Sequence, residues 1–139
     1  MSYMPSSLVL MNETITTAQT ATTKTVVFGL AHAFSLVLQC NFTYGSGGTT
    51  AKVWVQTSFD GGATWVDIAN FAHTTASLRR LYANDIAGGP TTIYTATDGT
   101  LADNTSQEGL IGDQLRVKFT STGTYAGGTT IRVDACVKE

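Results

Sequence analysis

The chain has 139 residues with a formal net charge of −2; 42% of them are hydrophobic and only 13% are charged. That length suits one domain able to bury roughly 65–70% of its unfolded surface, and the charged share is about half that of an ordinary soluble domain. Twenty-five threonines stand against four lysines and three glutamates, which argues against a helical bundle with its Ala-, Glu-, Lys- and Arg-rich surface. The apolar content excludes a disordered tail, and the lack of a basic excess excludes nucleic acid as the main partner. What remains is an all-β domain with a neutral, hydroxyl-rich surface.

The first elements are weak. Met1 to Asn12 carries no basic stretch and only the short apolar run Leu8-Val9-Leu10-Met11, which fits neither a secretory signal nor a membrane span. Between Thr14 and Thr25 the chain is dense in threonine and offers little to bury. Residues 1–25 are therefore expected as an edge strand, a mobile terminus or an arm lying on a neighbouring subunit, and residues 26–139 as the domain proper.

Strand signals then become clear. In Phe34-Ser35-Leu36-Val37-Leu38-Gln39-Cys40-Asn41-Phe42-Thr43-Tyr44 the even positions are apolar while most odd ones are polar, the period of a half-buried strand. Gly45-Ser46-Gly47-Gly48 turns the chain into Ala51-Lys52-Val53-Trp54-Val55-Gln56-Thr57, with Val53 and Val55 on one face and Lys52, Trp54 and Gln56 on the other. Asp60-Gly61-Gly62 leads to a strand over 65–69, and weaker segments follow at 78–82 and 91–96, separated by Gly88-Gly89-Pro90. Leu115-Arg116-Val117-Lys118-Phe119 and Ile131-Arg132-Val133-Asp134-Ala135-Cys136-Val137 alternate cleanly. Short strands with Gly-rich turns and no capped helical period predict an antiparallel β-sandwich, jelly-roll or Ig-like, with a small barrel as the alternative. Parity sets Cys40 among the apolar positions and Cys136 on the opposite side of its strand, so a disulfide is disfavoured and reduced thiols are expected.

One internal echo stands out. Thr43-Tyr44-Gly45-Ser46-Gly47-Gly48-Thr49-Thr50 is matched by Thr124-Tyr125-Ala126-Gly127-Gly128-Thr129-Thr130, each followed by an alternating strand. Convergent turn chemistry, with Gly supplying φ > 0 and Thr entering the strand, is favoured over a true duplication. Two similar hairpins are thus expected near the two ends of the domain.

The most specific motif is Ser58-Phe59-Asp60-Gly61-Gly62-Ala63-Thr64-Trp65. Ser58, Asp60, Gly62, Thr64 and Trp65 resemble the Asp-box found on hairpins of sialidases and other β-propeller proteins. In physical terms Asp60 accepts hydrogen bonds from the turn, Gly62 relieves the tight backbone, and Trp65 folds over the hairpin. A sialidase would carry several copies and an arginine cluster, so the single box is expected as a structural staple.

Catalytic inventories are thin. The two histidines, His32 and His73, have no carboxylate at meaningful spacing, which leaves a hydrolase built on His73 or the aspartates a distant reading. Asp60, Asp67, Asp85 and Asp113 show no paired-carboxylate signature, and the Cys and His positions make no zinc pattern. Oxygens of Asp98-Gly99-Thr100-Leu101-Ala102-Asp103-Asn104 could ligate Ca²⁺, but the loop lacks a terminal Glu and is expected to be solvated. No cofactor or metal is expected. Trp54, sharing a face with Lys52 and Gln56, calls for cover: the domain's own second layer, another subunit, or a stacked sugar, for which Tyr94 is a second candidate. Arg79 and Arg80, with Tyr82, form an adjacent basic pair expected at an interface or a solvated turn.

The runs from Leu36 to Thr50 and Val53 to Phe71, with Asp98 to Asn104 and Gly112 to Lys118, resemble small β-rich virion proteins of tailed bacteriophages, over residues 34–137. That resemblance implies a non-enzymatic role as a head decoration or cement protein, bound to the major capsid protein, homo-oligomeric, and located in the virion after synthesis in the host cytoplasm. A neck, tail or head-fibre component is the near alternative. A carbohydrate-binding sandwich is the alternative from another class. No nucleic-acid or membrane partner is expected.

Overall fold

The computed structural model describes residues 7–85 and 93–138, and among these no helix occurs. Ten strands form in chain order: β1 (Ser7–Thr14), β2 (Thr22–Thr23), β3 (Ser35–Thr43), β4 (Ser46–Gly47), β5 (Thr50–Ser58), β6 (Val66–His73), β7 (Leu78–Asp85), β8 (Gln114–Thr122), β9 (Tyr125–Ala126) and β10 (Thr130–Lys138). They build two four-stranded antiparallel sheets, β1-β10-β3-β7 and β2-β8-β5-β6, and a small β4-β9 pair. The sheets face each other as a sandwich and do not close into a barrel.

Alternation places the core. Leu36, Leu38, Cys40 and Phe42 of β3 and Ile131, Val133, Ala135 and Val137 of β10 point inward from the first sheet. Ala51, Val53 and Val55 of β5 and Leu115, Val117 and Phe119 of β8 answer from the second. Burying each Val, Leu, Ile or Phe among these contributes roughly 1.5–3 kcal/mol before the entropy of ordering is subtracted.

Residues 7–25 take the edge-strand alternative, β1 at the edge of the first sheet beside β10 and β2 at the edge of the second beside β8. Three expectations need correction. The domain proper does not begin at residue 26, because Leu10, Met11 and Ile15 are buried in the common core. Met1 to Ser6 lie outside the described residues. The segment 93–96 is not a strand, while 86–92, including the Gly88-Gly89-Pro90 turn, lies outside the described residues. Finally, the two similar Gly-Gly hairpins are not at opposite ends. They meet at one end, where β4 pairs with β9, Ser46 opposite Ala126 and Gly47 opposite Tyr125.

That meeting depends on missing side chains. Gly48 has φ +69, and a Cβ there would fall 2.3 Å from the Tyr125 ring. Tyr125 is thereby seated in the core, edge-on to Phe42 and Tyr44, with its hydroxyl donating to Thr74 O at 2.7 Å.

Candidate functional site

The 58–65 hairpin joins β5 to β6 and is held by its own side chains. Ser58 Oγ donates to Asp60 Oδ1 at 2.9 Å and accepts the Gly62 N–H at 2.8 Å. Asp60 Oδ1 also accepts the Thr64 N–H at 2.8 Å, and its second oxygen takes the Thr64 hydroxyl. The Thr64 and Ser58 bonds hold the Asp60 carboxyl below its usual range. Trp65 is buried, and the Arg116 guanidinium lies 4.3 Å over its ring, a cation–π contact that fixes the hairpin to the sheet. The Ser58, Asp60 and Thr64 side chains bond within the hairpin itself.

The outer face of the second sheet holds the largest polar network. A bulge between Val55 and Gln56 of β5 leaves Ile68 of β6 as the extra residue, so Asp67 and Asn70 both project outward. Asp67 sits beside Gln56, which faces Arg116; Asn70 sits beside Trp54, which faces Lys118. Residues 97–107 return over this surface. Asp67 accepts the N–H groups of Gly99, Thr100 and Leu101 at 2.8–3.1 Å and the Thr97 hydroxyl at 2.9 Å. Gln56 Nε2 bridges Asp67 at 2.8 Å and Asp98 at 2.6 Å, while its oxygen accepts Arg116 Nε at 2.8 Å. Burial alone would raise the Asp98 carboxyl, but hydrogen bonds from Lys118 and Gln56 and the charges of Lys118 and Arg116 bring it below its usual range.

This network corrects the candidate interface. Trp54 is 8% exposed and its indole donates to Leu101 O at 3.0 Å; Gln56 is fully buried. Both are covered by the chain's own loop and present no surface to another subunit or a sugar. Lys52, half-buried, pairs with Asp103 at 3.0 Å. The loop over 98–104 lies across this face through Gly99 and Leu101, while Asp98, Thr100 and Ala102 to Asn104 stay exposed, as a solvated loop would. Its Asp98 and Asp103 side chains are engaged by lysines, and no cluster of three or more His, Cys, Asp or Glu groups suited to a metal occurs among the described residues.

Sequence reasoning missed a cysteine–histidine pair. Cys40 Sγ lies 3.4 Å from His73 Nε2 in the core, with Phe42 stacked on the imidazole at 4.8 Å. Burial pushes the thiol up to about 12, opposed by the nearby Arg80 charge. Burial, with Arg80 adding in the same direction, lowers the imidazole to about 4. At neutral pH both groups are uncharged, unlike the thiolate that makes a cysteine nucleophilic. Cys136 is half-buried on the opposite face and both thiols are free. His32 is exposed in the connection before β3.

Arg79, Arg80 and Tyr82 lie on β7, an outermost strand of the first sheet. Arg79 is exposed, whereas Arg80 and Tyr82 are half-buried and line a groove of about 250 Å³ with Asn70 and residues 104–106.

Three exposed phenylalanines lie at one end of the sandwich. Strand pairing brings Ser35, Asp85 and Lys138 of the first sheet to this end, and Ser58, Val66 and Gln114 of the second. Bonds from Leu30 N–H to Asp113 O and from Phe34 N–H to Lys138 O tie the two sheet ends together. Phe28, Phe34 and Phe59 stand 67%, 42% and 58% exposed here. Phe59 also lines a notch of about 230 Å³ with Val66, Tyr94, Ala96 and Leu110. Tyr94 faces this notch and donates its hydroxyl to Glu108 O at 3.1 Å. At the opposite end the connecting residues 15–21, 44–49, 74–77 and 123–129 contain no charged residue.

Comparison with protein-family models, with curated protein sequences and with solved structures finds no match to this chain.

Proposed function

We propose that this chain is a non-enzymatic structural protein of a tailed-bacteriophage particle, a decoration or cement protein that binds the major capsid protein and stabilises the shell. The observation that carries the reading is the exposure of Phe28, Phe34 and Phe59 at one end of the sandwich, where Phe59 also lines a notch. Exposed apolar groups sharing one end of a domain are where proteins meet other proteins. The resemblance of residues 34–137 to small β-rich virion proteins supports the same assignment. So does the chemistry of the polar clusters: the hairpin, the Asp67 network and the Cys40–His73 pair are each bound up within the fold.

Quantifying the chain in purified particles tests this. Copies in stoichiometric proportion to the shell subunit, with rebinding to depleted shells lost in Phe59→Asp, are expected. A few copies at one vertex would assign it to the neck or tail instead. Absence from the particle would overturn the proposal. The carbohydrate reading loses its main stacking group, because Trp54 is buried with its N–H engaged.

A further inference from the structure

Four strands form the lateral edges of the two sheets, and three of them are blunted against further pairing. β1 is interrupted by a bulge at Leu10. β2 is only two residues long. The free side of β6 is taken by the returning loop, through Asp67 N–H to Thr97 O, Asn70 N–H to Thr105 O and Gln107 N–H to Ile68 O, each 2.8–2.9 Å. Bulges, shortness, cover and charged side chains are the usual protections of an exposed edge. Among the described residues β7 shows only the last, in Arg79, Arg80 and Asp85. It runs eight residues without a register shift or a proline, and among the described residues no backbone bond reaches its second side.

We propose that β7 is a self-association edge: two copies pair their β7 strands antiparallel about a two-fold axis at Tyr82, joining two four-stranded sheets into one. Continuing a sheet requires opposed residues to share a face, so the axis must pass through a residue. An axis at Arg79 or Arg80 sets an arginine against itself, which is unfavourable. At Leu81 it sets Arg79 against Ala83. At Tyr82 it sets Arg79 against Asp85, Arg80 against Asn84 and Leu81 against Ala83. This last register alone opposes unlike charges, and it uses the whole run 79–85. It also gives Leu81, 57% exposed in the single chain, an apolar partner. Ala83 is paired across β3 with Val37, 36% exposed, so Val37, Ala83 and Leu81 of the second copy form one apolar row across the joint. The partner is therefore a second copy of this chain, and the inference stands whether or not the chain belongs to a virion.

The test uses the full chain with Cys136→Ser, so that only buried Cys40 remains besides the introduced thiols. Leu81→Cys and Ala83→Cys proteins are oxidised separately and as a mixture. The proposed register brings the two thiols together only in the mixed dimer, because same-residue pairs lie a diagonal step apart. A disulfide-linked dimer enriched at least fivefold in the mixture supports the proposal. Equal cross-linking in the separate samples, or none anywhere, overturns it. Sedimentation of the unaltered chain provides an independent reading. A monomer–dimer equilibrium weakened at least tenfold by Leu81→Lys, at unchanged Tm, is expected. A monomer at every concentration, or an assembly indifferent to Leu81→Lys, overturns the proposal.

Discussion

Cys40 and His73 lie 3.4 Å apart in the core, thiol against imidazole, and neither carries a charge at neutral pH. The same two residue types make a nucleophile where an ion pair can form. Here the low-dielectric surroundings disfavour both ions, and the Arg80 charge further disfavours imidazolium.

The histidine makes stability depend on pH. Its folded-state value, about 4, lies below the ordinary imidazole value of 6.5, so between those limits the unfolded chain binds more protons. Stability contributed by neutral burial is present above pH ~6.5 and is lost as pH falls towards 4, by on the order of 3 kcal/mol. Urea unfolding of the wild type and of His73→Phe across this window should give a steeper slope for the wild type. Parallel slopes would show that His73 does not contribute.

The two thiols should differ sharply in reactivity. Cys40 is fully buried with its thiol held near 12, whereas Cys136 is half-buried on the sheet's outer face. An aromatic disulfide reagent at pH 8 should titrate Cys136 in the native protein and Cys40 only as fast as the chain unfolds. Two equally fast thiols would contradict this assignment.

Asp67 should hold the loop over 98–104. Its carboxyl group accepts three successive backbone N–H groups from residues 99–101. Asp67→Ala leaves those donors unpaired and is expected to cost about 3 kcal/mol. The loop covers Trp54, so the variant's emission should shift to the red and its quenching by acrylamide should rise. Unchanged fluorescence would mean that the loop stays seated without the carboxyl group.

Gly48 is the most exacting turn position. With φ +69 and the Tyr125 ring 2.3 Å from where a Cβ would stand, Gly48→Ala adds both backbone strain and a clash in the core. A loss of about 2 kcal/mol or more is expected, read as a lowered urea midpoint. Gly128→Ala has φ +76 but no neighbour within 4 Å, and should cost less. An equal cost at both would remove the steric part of this account.

Much of the sandwich was legible because its signals are local. Alternation assigned Leu36, Leu38, Val53, Val55, Val117 and Val133 to the interior, and all are buried. The Ser58, Asp60 and Thr64 spacing anticipated bonds that form within a few residues. Leu10 and Met11 were undervalued because a bulge between Val9 and Met11 breaks the alternation. The bulge between Val55 and Gln56 likewise hid the shared outward projection of Asp67 and Asn70.

By itself the sequence determined which face each strand turns to the core, where the chain reverses, and that the surface would be rich in hydroxyls and poor in charge. Tertiary structure alone decided what covers the other faces. Strand parity states that Trp54 and Gln56 lie opposite Val53 and Val55, but a loop more than thirty residues away from Asp67 supplies their cover. The meeting of Cys40 with His73, and of the two Gly-Gly turns, was settled in the same way. Periodicity encodes direction within an element; contact between distant elements depends on how the sheets are ordered and closed upon one another.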